Sequence, residues 1–150
     1  MENFQAVLDY LASVRNINYG GCGFSAYAMY LWLEKRGMLS KDATVVYGYD
    51  STLCGYKRNV DFLNGNSNVA GACDHVALFN EGKFFDSSGE LEADWGYGIN
   101  TFIFVPIDKL HKFMEVSLQG SWNSSFERDK YVPKIQKKLE IDFGIKKYQN

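Results

Sequence analysis

Three side chains able to do covalent chemistry occur in a meaningful order along this chain: Cys22, His75 and Asp86. Cys22 lies in Asn18-Tyr19-Gly20-Gly21-Cys22-Gly23-Phe24-Ser25-Ala26, a glycine-rich turn running into an apolar stretch. Glycines there permit backbone angles that other residues resist and let another chain approach closely. A helix starting at Cys22 or Gly23 offers unpaired N–H groups and a partial positive charge, which favour the nucleophilic thiolate. A small cysteine in a tight turn also fills cores, and on this stretch alone both readings stand.

His75 supplies a base that titrates near neutral pH, and Asp86 a carboxylate able to orient an imidazole. They lie in Ala72-Cys73-Asp74-His75-Val76-Ala77-Leu78-Phe79, Asn80-Glu81-Gly82-Lys83 and Phe84-Phe85-Asp86-Ser87-Ser88-Gly89. This reads as two strands around a Gly-containing turn. With the turn centred on Glu81-Gly82, residue 79 faces 84, 77 faces 86 and 75 faces 88. His75 and Asp86 are then diagonal neighbours on one face, and a slip of one residue would separate them. Without His75 beside it, Asp86 reads as a turn cap with Ser87-Ser88-Gly89.

The elements that must carry these groups follow from periodicity. Phe4, Val7, Leu8, Leu11 and Val14 recur at helical spacing and predict an amphipathic lid helix. Phe24, Tyr27, Ala28, Leu31 and Trp32 predict a helix apolar almost all round, ended by Lys35-Arg36-Gly37, and therefore buried against a sheet. Ala43 to Tyr49 and Thr101 to Val105 read as strands. Pro106 to Phe113 reads as a helix, and Pro133 to Ile141 as a short terminal one. From Asp50 to Gly71 the chain is rich in Asn, Gly and Ser with scattered apolar residues, and reads as a long irregular segment, either a covering flap or a plain excursion.

The 150 residues bear a formal charge of -2 with acids and bases interspersed, which argues against nucleic acid as the main partner. No apolar run is long enough for a bilayer and no cleavable leader opens the chain, so a cytoplasmic protein with no membrane partner is expected. Aromatics make up 16% and prolines number two, enough apolar material for one domain over 1–150. The three cysteines are irregularly spaced, which fits a reducing compartment. Cys22, Cys54 and Cys73 with His75 can be drawn as a zinc site, Cys73 and His75 sharing one strand face, but Cys54 lacks paired-ligand spacing and no metal is expected. His111 reads as a solvated histidine on a surface helix. Trp95-Gly96-Tyr97-Gly98 reads as a substrate-lining element through Trp95 and Tyr97, or as loop packing.

Gly-Gly-Cys-Gly opening a helix, Asp-His-Val starting a strand and Phe-Phe-Asp-Ser-Ser-Gly on the next together resemble the papain-like and transglutaminase-like superfamily of cysteine hydrolases and acyltransferases. The resemblance spans Asn16 to Gly89. It implies an α+β fold in which an antiparallel sheet packs against a central helix with the cysteine at its N-terminus. It implies a Cys22-His75-Asp86 triad, no cofactor, and a peptide, protein or other amide-containing substrate. The chain has Cys-Gly-Phe-Ser-Ala where papain has Cys-Gly-Ser-Cys-Trp, and an aspartate where papain has an asparagine. These departures and the short length lean toward small bacterial or viral relatives, with a host-cell cytoplasm as location if viral. Papain's oxyanion-hole glutamine has no clear counterpart; Asn16 is preferred by spacing and Asn18 is nearer to Cys22. The competing expectation is a catalytically silent member of the same fold that binds partners through an aromatic-rich surface.

Overall fold

The computed structural model describes residues 22–96 and 98–120. The expected helices over 4–14 and 133–141, the turn glycines Gly20 and Gly21, and Asn16, Asn18 and Tyr97 lie outside the described residues.

The described residues form an α+β arrangement of three helices and a five-stranded antiparallel sheet. Helix α1 (Cys22–Lys35) is followed by strand β1 (Thr44–Tyr49), helix α2 (Leu53–Leu63), strands β2 (His75–Asn80), β3 (Lys83–Asp86), β4 (Gly89–Glu90) and β5 (Thr101–Phe104), a 3-10 turn (Ile107–Lys109) and helix α3 (Leu110–Gly120). The spatial order is β4-β3-β2-β1-β5, so the strand that opens with His75 is central.

α1 is buried because its sequence leaves no polar face to turn outward. Ala26, Met29, Tyr30, Trp32 and Leu33 all lie in the main core. Its end follows from Gly37, which adopts φ +67°. Gly37 N–H donates to the Glu34 carbonyl and Met38 N–H to the Leu33 carbonyl, the paired bonds that close a helix around a left-handed glycine.

Strand alternation then divides the core. Val45, Tyr47, Tyr49, Val76 and Leu78 face α1 and α3 in the main cluster. Val46 and Ala77 face the other way, into a smaller cluster with Trp95 and Ile99 that Phe79, Phe84 and Phe102 extend. Leu33 and Leu78, both at 0% exposure, show the degree of closure on the helix side. Truncating either to alanine would cost ~2–5 kcal/mol.

The hairpin has the register expected from its turn. Phe79 pairs with Phe84 and Asn80 with Lys83, while Glu81 and Gly82 both take positive φ, 52° and 76°. A two-residue turn of that hand matches the twist of the flanking strands.

The segment from Asp50 to Gly71 departs from the irregular course expected of it, because α2 occupies Leu53–Leu63. Its inner face carries Gly55 and Asn59, both buried, beside the half-buried Tyr56 and Val60. A glycine and an amide at core-facing positions hide a helical period from any count of apolar residues. Gly55 is required by contact: a Cβ built on it would run into the Ala72 backbone. Among the described residues, no helix is long and apolar enough to cross a membrane.

Candidate active site

Cys22 is the first described residue of α1, half-buried against the main core. His75 is the first residue of β2 and pairs with Gly48 of β1. Asp86 is the last residue of β3. His75 and Asp86 are 4% and 2% exposed, so what each bonds to matters more than for surface groups.

The hairpin register brings His75 Nε2 within 2.9 Å of Asp86 Oδ2. Asp86 uses its other oxygen as a turn acceptor, taking the Ser88 N–H at 2.7 Å. The capping and orienting roles weighed for this residue therefore coexist. An ionised carboxylate can only accept, so Nε2 must carry its proton and Nδ1 is left for a second partner. The Cys22 side chain is also a hydrogen-bond partner of His75. Imidazole, thiol and carboxyl thus form a continuous chain in the order Cys22, His75, Asp86.

Burial works against charge on His75, but the hydrogen bond it donates to Asp86 and the contributions of Cys22 outweigh it, and its pKa is pushed up to about 9. The imidazolium is therefore favoured at neutral pH beside the Cys22 sulfur.

Trp95 closes the ring from the second face of the sheet, with its centroid 5.8 Å from that of His75 in an edge-on arrangement. It is 2% exposed, and among the described residues its buried indole Nε1 has no hydrogen-bond partner. Trp95 packs on the imidazole, the packing alternative of the two roles read for it. The signal for this position was Gly48, an isolated glycine inside a strand. A Cβ there would meet Trp95 Cζ3 at 2.6 Å and Ile99 Cγ2 at 2.8 Å, so only glycine lets the indole lie across the strand beside His75.

The other two thiols differ in their surroundings. Cys54 is exposed on α2. Cys73 packs on the helix side of the sheet, and burial, followed by Cys22 and Asp74, pushes its thiol up. His75, in contrast, contacts Trp95 on the opposite side, so the shared strand face drawn for Cys73 and His75 is absent. The chain bends at Asp74, whose N–H donates to the Gly48 carbonyl at 3.0 Å. Among the described residues, no three of His, Cys, Asp and Glu gather as they would around a metal ion. His111 is half-buried with its Nδ1 bonded to the Tyr27 hydroxyl, tying α3 to α1, and is not the solvated side chain expected.

Sequence reasoning passed over Asp74. Its carboxylate gathers Asp50, Ser51 and Thr52, the residues between β1 and α2. An aspartate immediately before a buried histidine was the available signal. In comparisons with known proteins, the chain matches no family model, no curated protein and no solved structure.

Proposed function

We propose that the chain is a cysteine-dependent hydrolase or acyltransferase of the papain-like or transglutaminase-like kind, acting on an amide, isopeptide or related acyl bond. The supporting observation is a buried imidazole hydrogen-bonded to both Cys22 and Asp86. His75 already holds the proton of the Cys22 thiol on Nδ1 while Asp86 holds Nε2 and stabilises the imidazolium, which leaves the sulfur as the nucleophile. The sulfur attacks the acyl carbon, and the negative charge on its oxygen is met by the Cys22 N–H and by Asn16 or Asn18. The carbon–nitrogen bond breaks, the proton on His75 passes to the leaving amine, and a thioester remains. Water or an acceptor amine, deprotonated by His75, then attacks the thioester and returns the proton and sulfur to their starting state. The substrate is a peptide, protein or other amide, and the reading places the protein in a cytoplasm.

Thiol reactivity tests the nucleophile. Exposure alone would make Cys54 the fastest of the three cysteines to alkylate. Catalytic pairing predicts instead that half-buried Cys22 is modified first by iodoacetamide near neutral pH, and that His75→Ala slows it at least ~10-fold. Site-resolved mass spectrometry reads both. A folded protein in which Cys54 reacts first would remove the nucleophile. That result would favour a silent binding module, a reading supported by the aromatic face where Phe104 is 47% and Ile107 51% exposed. With a substrate from a peptide, cell-wall and glutamine-amide screen, Cys22→Ser should stay folded and lose turnover by orders of magnitude.

A further inference from the structure

A base that must touch a thiol on one side and a carboxylate on the other tolerates little movement, yet His75 stands at the first position of its strand. Strand ends are where backbones open first. The segment that delivers His75 is nevertheless held at two points. Upstream, the buried Asn59 of α2 pairs with the Gly71 backbone: Gly71 N–H donates to Oδ1 at 2.6 Å and Nδ2 donates to the Gly71 carbonyl at 3.2 Å. The same Nδ2 donates to the Tyr49 hydroxyl at 2.6 Å, joining this clamp to the end of β1.

Downstream the clamp is Asp74. Its Oδ2 accepts the N–H groups of Asp50 at 2.6 Å, Ser51 at 3.1 Å and Thr52 at 3.4 Å, and the Thr52 hydroxyl at 2.9 Å. Its Oδ1 accepts the Ser51 hydroxyl at 3.0 Å. A carboxylate near a helix start is ordinarily a cap. Here, however, Thr52 occupies the N-cap position and makes no side-chain cap bond of its own, donating its hydroxyl to Asp74 instead. The residue best placed to serve the helix serves the histidine strand.

We propose that Asp74 is a positioning residue for His75, fastening the start of β2 to the β1–α2 turn so that the imidazole stays in reach of Cys22 and Asp86 together. The catalytic consequence rests on the function proposed above; the positioning of the ring does not. Asp74 is exposed, and although its slight burial acts in the opposite direction, the donors from Asp50, Thr52 and Ser51 hold its carboxyl below the usual range. It stays ionised across the pH range in which His75 titrates. The groups bearing directly on the His75 charge are Asp86 from β3 and Cys22 from α1.

The test is the His75 titration followed by NMR of the ring protons, in a chain with only two histidines. In Asp74→Ala the His75 pKa should fall from about 9 toward 6.5 by at least ~1 unit, as the ring loses its fixed contacts. Removing a nearby negative charge would lower it too. The Ser51→Ala/Thr52→Val double variant removes that ambiguity, because it deletes two donors and leaves the carboxylate in place. It also keeps the question open to measurement should Asp74→Ala fail to fold. A downward shift in the double variant supports positioning; an unchanged His75 titration in a folded double variant overturns it. Cys22 alkylation should slow ~10-fold in both, with exposed Cys54 as the unaffected control. A wild-type Cys22 slower than Cys54 would overturn the proposed function, while the NMR shift would still decide the role of Asp74.

Discussion

Asp86 and Asp74 both hold the histidine strand, and they do so by opposite means. Asp86 is buried, bonds the titratable His75, and reaches it across a hairpin closed by two residues of left-handed turn. Asp74 is exposed, meets neutral donors, and depends on α2, which packs its backbone against Ala72 through Gly55. The first contact is strong because water is excluded from a charged pair. The second is strong because several donors converge on one carboxylate. Local register builds one support and a close tertiary approach builds the other, so they should fail differently.

Gly55→Ala should give the largest effect. Alanine favours a helix over glycine by ~1 kcal/mol, so on propensity alone the change would stabilise α2. The new methyl instead runs into the Ala72 backbone, and backbone cannot yield as a side-chain tip would. A net loss of more than ~4 kcal/mol is expected by urea denaturation. A neutral or stabilising result would mean that α2 does not seat as closely as described.

The hairpin support should fail through pH. Since the His75 pKa is raised from 6.5 to about 9 in the folded protein, the folded state holds its proton more tightly than the unfolded chain. That contribution is complete below pH ~6.5 and is lost as pH rises through ~9. It amounts to roughly 3 kcal/mol in a ring with almost no solvent exposure. Asp86→Asn should remove most of it, so the stability gap between the wild type and the variant should close between pH 6.5 and 9.5. The buried Cys73 thiol also disfavours the folded state at alkaline pH, but it does so in both proteins and cancels in the difference. A gap that does not change with pH would show that Asp86 does not hold the imidazolium.

The smallest change should be a gain. Glu81 adopts φ 52°, a conformation that costs a non-glycine residue about 1 kcal/mol. Asn-Gly is the preferred pair for this turn, so Glu81→Asn should raise stability by ~0.5–1 kcal/mol without altering the His75 titration. A fall in stability would question the turn type, and with it the register that places Asp86.

Much of the candidate site could be read before any coordinates, because strand alternation and a two-residue turn together fix which side chains share a face. The 79-to-84 pairing, the approach of Asp86 to His75 and the burial of α1 all follow from spacing within short windows. The Asp50–Gly71 segment resisted the same reading because its helix faces the core with Gly55 and Asn59. Their value lies in what approaches them, Ala72 in one case and the Gly71 backbone in the other.

The amino-acid sequence by itself determined a hairpin register, a buried apolar helix that includes Cys22, and the chemical types available at Cys22, His75 and Asp86. Each depends on residues close enough along the chain for periodicity to carry the information. Only the tertiary structure decided that His75 meets both Cys22 and Trp95, that Cys73 lies across the sheet from Trp95, and that α2 ties down the segment before the base. Those outcomes turn on the space between elements distant in sequence. A glycine there is specified by the neighbour it admits, and a carboxylate by the donors the fold brings to it.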